Sequence, residues 1–285
     1  MSAAATDTGT ETGTGTEPDE PLPRALWPVR CLAVGYVGLG VWLMLAAAPR
    51  VPYADPYRFL ARFLTLPFPA SVVAPDNGHR EVLPNLVRWA EARWLDADQW
   101  LQLAVGTTLV LLAFAAILRA LRRAPRAART AAAAIVCVGL FWLGNWRKLV
   151  HHNESVSFGF VLLWLALGLT ALGRGTRGGA VTAGLMGVLA TMSFGSGPAC
   201  FAAFLLVLLL QRAPFGRWLP VLVGAVAAAA LLLTAGGEAP RAIGLAPGTQ
   251  LVDLLHWLGA PFVWALNPLL DAAHAARLPE PFATV

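Results

Sequence analysis

Charged side chains are missing from the interiors of the apolar stretches that fill residues 101–235 of this 285-residue chain. Secondary transporters and proton pumps usually carry ionisable groups within the bilayer, so this absence argues against both classes. Only 13% of the residues are charged and the mean hydropathy is +0.62, which is not the composition of a soluble globular domain. The composition therefore predicts a membrane protein.

Cysteine pairs and catalytic signature motifs are also lacking. Cys31, Cys137 and Cys200 show no motif spacing, so we predict neither a disulfide framework nor a metal knuckle. The chain contains no nucleophile elbow, His-Glu-x-x-His, Walker or dinucleotide-binding motif. We therefore predict no metal site, and the sequence identifies no cofactor.

Seven segments reach or approach the roughly 20 apolar residues that a helix needs to cross a bilayer. They are residues 27–48, 101–118, 131–146, 156–172, 180–194, 198–210 and 219–235. The fifth and sixth are short, and Gly195-Ser196-Gly197 between them fits a tight turn. We predict an all-α polytopic membrane protein with about seven transmembrane helices within residues 23–250.

Basic residues cluster in alternate loops. The richest loop carries Arg119, Arg122, Arg123, Arg126 and Arg129 without an acidic residue, and Arg174, Arg177, Arg212 and Arg217 mark two later loops. This alternation is typical of cytoplasmic loops, so we expect the N-terminus in the cytoplasm and the intervening loops outside. It also explains the sequence pI of about 9.7 without a nucleic-acid partner.

The two ends of the chain differ from this membrane domain. Residues 1–22 alternate Thr and Gly with scattered acids, which predicts a disordered cytoplasmic tail. Residues 251–285 begin as an amphipathic segment and are then interrupted by prolines. We expect the sequence to be part of a longer protein.

The first outer loop, residues 49–99, is long enough to hold structure of its own. Residues 57–66 and 85–95 both have amphipathic spacing and predict two helices lying along the membrane interface. The apolar side of the second helix would face the membrane, with Leu86, Trp89, Ala90 and Trp94. Its charged side would face water, with Arg88, Glu91 and Arg93.

Residues 76–81, between these two helices, hold the densest group of ionisable side chains. A carboxylate such as Asp76 or Glu81 at a partly desolvated interface can act as a general base. Arg80 can hold a phosphate, and His79 can orient a group, donate a proton or bind a metal. The alternative is a polar loop whose side chains pair with one another and cap the second interfacial helix.

A second polar patch precedes the fourth span. Arg147, Lys148 and His152 could bind an anionic lipid phosphate, but His151 and His152 could equally be solvated. Two adjacent histidines do not share a helix face, which disfavours a common metal. For residues 153–155 we expect helix capping.

Asp76-Asn77-Gly78-His79-Arg80 followed by Leu83-Pro84 resembles an Asn-Glu-His-Arg…Pro-Arg motif of a group of largely uncharacterised bacterial multi-spanning proteins. In that group the motif also follows the first span, although Gly78 stands here at the position of its Glu. The layout over residues 27–270 is similar to the core module of C-type glycosyltransferases, which use polyprenyl-phosphate sugars.

This resemblance implies a glycosyltransferase in the bacterial inner membrane that takes sugar from a polyprenyl-phosphate donor at the outer leaflet. Asp76 would be the catalytic base. His79 or Arg80 would contact the donor phosphate, with Glu81, Arg147, Lys148 and His152 as further substrate-binding candidates. The alternative is a non-enzymatic membrane protein that passes a lipid or glycan or serves as an assembly partner.

Overall fold

The computed structural model describes residues 24–48, 56–76, 78–141 and 150–235. Within these ranges the chain forms α-helices and short 3-10 turns without a β-strand, which confirms the all-α fold class. The expected tail at 1–22, Arg147 and Lys148, and the segment 251–285 lie outside the described residues.

The helices of the described residues follow one another along the chain. They are α1 (Trp27–Ala46), α2 (Pro56–Thr65), α3 (Ala70–Val73), α4 (Val82–Trp94), α5 (Trp100–Ala120), α6 (Arg126–Leu140), α7 (His152–Leu172), α8 (Arg177–Thr191), α9 (Ala199–Leu210) and α10 (Phe215–Leu233). Each of the seven expected spans overlaps one of these helices, although residues 142–146 of the third span lie outside the described residues.

Four of the helices, α1, α5, α7 and α10, are long and apolar enough to cross a membrane. The chain thus has the features of a multi-pass helical membrane protein. The expected count of about seven spans is not confirmed, because α6 and α8 have 15 residues each and α9 has 12. A helix of 12 residues is about 18 Å long, whereas the hydrocarbon layer is about 30 Å thick.

Helix α7 lies at the centre of the fold and packs against α4, α5, α8 and α9. Close approach depends on glycines: a Cβ on Gly106 of α5 would lie 2.5 Å from Ser155 Oγ of α7. A Cβ on Gly184 of α8 would lie 2.6 Å from the Pro220 carbonyl oxygen of α10. Small residues at these crossings let two backbones meet, which is how membrane helices commonly associate.

The two helices expected in the first loop are present as α2 and α4. Helix α4 begins three residues earlier than predicted, because Pro84 is accommodated in the first turn, where its missing N–H needs no partner. The predicted orientation of α4 is wrong for Arg88 and Glu91, which are buried, whereas Arg93 is exposed as expected. Spacing alone assigned the charged side to water, but that side packs against α2, α5 and α7.

Candidate functional site

The first loop folds onto one end of the helix bundle. The Leu83 amide donates to the Met192 carbonyl at the end of α8, 3.3 Å away, and Arg80 Nη2 donates to the Thr234 carbonyl at the end of α10, 2.6 Å away. This end, which we call the first-loop face, comprises residues 56–100, the start of α7, the 192–198 turn and the end of α10. The arginine-rich loops lie at the other ends of the same helices, which we call the arginine face.

Asp76 lies in a tight turn that brings two arginines to its carboxylate. Its amide and carbonyl groups pair with those of His79 at 2.8 and 3.0 Å, and Gly78 adopts φ +76°, a conformation that glycine takes without strain. Arg58 Nη2 lies 3.2 Å from Asp76 Oδ2, and Arg62 Nη2 lies 3.6 Å from Oδ1. Successive turns of α2 therefore present both guanidinium groups to one carboxylate.

These three side chains differ in exposure. The Arg58 side chain is 47% exposed, whereas the side chains of Asp76 and Arg62 are 13% and 11% exposed. Arg62 also donates to the Ala74 carbonyl at 2.8 Å. Burial lowers the pKa of Arg62, and the Asp76 carboxylate opposes that shift. Asp76 and Arg62 are thus held against the rest of the protein, whereas Arg58 reaches the surface.

Glu81 and Arg88 form a buried ion pair behind this surface. Glu81 is 5% exposed and Arg88 is 4% exposed, and Arg88 Nη1 lies 2.7 Å from Glu81 Oε2. His79 Nε2 lies 3.0 Å from Glu81 Oε1, so the same carboxylate contacts a second ionisable group. The imidazole packs edge-on against Phe194 in the 192–198 turn, with 5.7 Å between ring centroids.

Arg88 also ties α4 to the beginning of α7. Its Nη2 group donates to Ser157 Oγ at 2.7 Å and to the Asn153 carbonyl at 3.1 Å, and Ser157 Oγ in turn donates to Glu81 Oε2 at 3.0 Å. The guanidinium carbon lies 4.3 Å from the centre of the Phe59 ring on α2, a cation–π distance. One side chain thus connects three helices.

The network keeps Glu81 ionised. Burial alone raises the pKa of this carboxyl, but the Arg88 charge and the hydrogen bonds from His79 and Arg88 outweigh burial and bring the pKa to about 2. A carboxylate with such a low pKa is a poor general base, because the ideal base titrates near the working pH. Its chemical role is to hold Arg88 and His79 in place.

A second buried carboxylate, Glu91, fixes the start of α5. Its oxygens accept from the Leu101 amide at 2.8 Å, the Gln102 amide at 3.2 Å and Gln102 Nε2 at 2.8 Å. Negative charge at a helix N-terminus is favourable because the first amide groups there have no partner within the helix. Burial nevertheless raises the pKa of Glu91.

The remaining sequence-predicted residues occupy separate places. Arg80 Nη1 donates to the Val73 carbonyl at 2.9 Å, so with its bond to Thr234 it contacts two carbonyls. His152 is 3% exposed at the start of α7, so the solvated interpretation is wrong for this residue. Residues 153–155 lie in the first turns of α7, which begins at His152, so the expected start of this helix is close to the observed one; Glu154 is the acid of the first turn, and the cap residue, His151, makes no side-chain capping bond.

Sequence reasoning did not assign Arg58, Arg62, Arg88 or Ser157 to the site. The i,i+4 spacing of the first two on α2 was the available signal, because it places both guanidinium groups on one side of the helix. Ser157 had no signal of its own, since it lies 76 residues from the Glu81 carboxylate that it contacts.

The site can hold an anion and accept a proton. Arginine has five N–H donors in a fixed fork, so Arg58 and Arg62 can bind Asp76 and a phosphate oxygen at once. Across the described ranges no group of three His, Cys, Asp or Glu side chains could hold a metal ion. Two hollows in this region, one beside Arg80 and one beside Arg88, have volumes of about 20 Å³ each, room for about one water molecule.

The chain matches no protein-family model, no curated protein sequence and no solved structure.

Proposed function

We propose that this chain transfers sugar from a polyprenyl-phosphate donor at the first-loop face, which we expect to be the outer face of the membrane. The observation that carries this proposal is the placement of the Asp76 carboxylate between Arg58 and Arg62. These side chains lie on the amphipathic helix α2 and the turn that follows α3, next to the end of the bundle. A lipid-linked donor would bring its phosphate to the same depth as this interfacial helix.

In the reaction, Asp76 accepts the proton of the acceptor hydroxyl. The acceptor oxygen forms a bond to the anomeric carbon of the sugar, and the bond between that carbon and the phosphate oxygen breaks. The phosphate leaves with the electron pair, and Arg58 and Arg62 stabilise its developing negative charge. Fixed cations aimed at a leaving oxygen lower the barrier because they do not have to reorganise during the reaction.

Glu81 and Arg88 support these groups without contacting the substrate. The pair is buried and it holds His79 beside the 192–198 turn. Arg80 contributes in a similar way, because both of its hydrogen bonds go to carbonyls of neighbouring segments. The direct contacts of the donor phosphate are therefore assigned to Arg58 and Arg62, with Arg147, Lys148 and His152 retained as candidates from the sequence.

A specific observation favours the non-enzymatic alternative. Asp76, Glu81 and Arg80 are all engaged in contacts within the protein, and the hollows beside Arg80 and Arg88 hold little more than a water molecule. Such a network fits a lipid- or glycan-passing protein, or an assembly partner, whose first loop is held to the bundle and binds no substrate.

Replacement of Asp76 by Asn separates these two functions. Membranes containing the full chain would be supplied with a radiolabelled polyprenyl-phosphate hexose, and label transferred to glycan would be counted. We expect D76N to lower transfer by about 100-fold or more, as loss of a general base commonly does. Asp96→Asn is the matched control, because Asp96 is an exposed carboxyl in the same loop. Equal transfer by wild type, D76N and D96N would sink the enzymatic proposal.

A further inference from the structure

A large cavity lies at the arginine face, away from the site around Asp76. It is a partly open hollow with a volume of about 580 Å³, and it lies between α1, α5 and α6. Its walls are mainly apolar, with Ala33 and Val37 from α1, Phe114 and Leu118 from α5, and Ala133 and Cys137 from α6. This volume is within the range of about 300–1,000 Å³ that is typical of small-ligand pockets.

Three arginines line the same cavity at one end. Arg30 comes from the first turns of α1, Arg122 from the loop after α5, and Arg129 from the first turn of α6. Arg30 Nη2 donates to Thr130 Oγ1 at 3.4 Å, and Arg129 Nη1 donates to the Arg122 carbonyl at 3.2 Å. The first bond fixes the Arg30 guanidinium and the second fixes that of Arg129, whereas Arg122 accepts through its backbone carbonyl and also lines the cavity.

The positive charge of this end is not neutralised by the elements that surround it. Helices α1, α5 and α6 and the loop between α5 and α6 contain no Asp or Glu. The ion pairs of Asp76 and Glu81 lie at the first-loop face, at the other end of the bundle. An anion bound at the three arginines would therefore meet no competing carboxylate from those helices.

We propose that this cavity is a binding site for one anionic phospholipid. The phosphate of the headgroup contacts Arg30, Arg122 and Arg129, and an acyl chain lies along the apolar walls between α1 and α6. The orienting effect of positive charge on membrane topology explains why arginines occur in this loop. It does not explain why three arginines from separate segments line the same end of one apolar cavity. Basic pockets between membrane helices are known to bind acidic lipid headgroups.

The test is native mass spectrometry of the full chain in detergent, titrated with dioleoyl-phosphatidylglycerol or with dioleoyl-phosphatidylcholine. The wild-type protein should bind the acidic lipid about tenfold more tightly, because both lipids fill the cavity but only the first carries net negative charge. The double variant R30Q/R129Q should lose about 10- to 30-fold in affinity for phosphatidylglycerol. Its affinity for phosphatidylcholine should fall less, because the choline cation offsets the charge of the phosphate in that lipid.

A matched control removes the same charge beside a neighbouring cavity. Arg119 and Arg174 line a hollow of about 560 Å³ between α5 and α7, which Arg122 also lines. The variant R119Q/R174Q leaves Arg122 in place, so it should change phosphatidylglycerol binding less than about threefold. A second variant, Ala133→Trp, fills the first cavity and leaves every arginine in place. It should weaken binding of both lipids, and circular dichroism should show unchanged helix content.

Four results would each overturn the proposal. Equal affinity of the wild type for the two lipids would exclude the arginine contacts. An equal loss in R119Q/R174Q and R30Q/R129Q would show that only the overall surface charge matters. Unchanged binding in a folded A133W protein, or displacement of the lipid by tenfold excess of glycerol phosphate, would exclude the acyl-chain site.

Discussion

Replacing Glu81 by Gln removes the negative charge that accompanies Arg88 in the protein interior. Glu81 Oε2 lies 2.7 Å from Arg88 Nη1, and both residues are buried. Breaking a buried ion pair is costly because the remaining charge has neither water nor a counter-charge. The folded protein lowers the pKa of this carboxyl from 4.5 to about 2. That change corresponds to about 3 kcal/mol of unfolding free energy at neutral pH.

The pH dependence of this effect follows from its sign. Since the pKa of Glu81 is lowered in the folded state, its contribution is complete above the unfolded-state pKa of 4.5 and is lost as the pH falls toward about 2. We expect wild type to exceed E81Q in unfolding free energy by about 3 kcal/mol at pH 6 and by about 1 kcal/mol at pH 3.

Unfolding of both proteins in mixed detergent micelles, followed by circular dichroism at pH 6, 5, 4 and 3, measures this difference. Asp96→Asn is the control, because an exposed carboxyl should change the unfolding free energy by less than about 0.5 kcal/mol at any of these pH values. A difference between wild type and E81Q that stays constant from pH 6 to pH 3 would refute the reasoning, since the effect would then not arise from the charge.

Three further predictions concern stability. Burial raises the pKa of Glu91, so wild type should become less stable relative to E91Q as the pH rises above 4.5. A difference in unfolding free energy between the two proteins that stays constant with pH would contradict this prediction. Gly184→Ala should cost about 1–3 kcal/mol of unfolding free energy, because the added Cβ would press on the α10 backbone. The control Gly139→Ala, which has open space around its Cβ, should leave the unfolding free energy unchanged or raise it. Equal effects of the two substitutions would contradict this prediction. Arg80→Gln should cost about 1 kcal/mol and speed amide hydrogen exchange in the last turn of α10 near Thr234, and unchanged exchange there would exclude the capping role.

The helices were the part of the fold that sequence predicted best. Apolar runs and their flanking glycines and prolines mark helix positions locally, so α5 and α7 fall within a few residues of their expected places. The number of membrane crossings could not be predicted from these runs. A run of 12–15 residues, such as α9, is compatible with a short span or with a helix that does not cross.

The buried network could not be predicted in the same way. Helical spacing assigned Arg88 and Glu91 to water because charge is normally solvated. Their burial is compensated by Glu81 and Ser157 for the arginine and by the start of α5 for Glu91. Such compensation depends on tertiary contacts, which the spacing of charged and apolar residues in α4 does not predict.

For Asp76, the sequence predicted the position but not the side chains that contact it. Its position between the two helices of the first loop followed from the sequence, and the structure has α2 and α4 on either side of it. The pairing with Arg58 and Arg62 is a contact between α2 and the turn at residues 76–79, and the sequence did not predict it. That pairing places two guanidinium groups beside one carboxylate.

The most direct test of sugar transfer at Asp76 is the release of polyprenyl phosphate from a labelled polyprenyl-phosphate hexose by the purified chain in liposomes. We expect release above that of empty liposomes, dependent on added acceptor, and lowered about 100-fold by D76N but unaffected by D96N. Release no greater than in empty liposomes, or equal release by wild type and a folded D76N protein, would contradict the account.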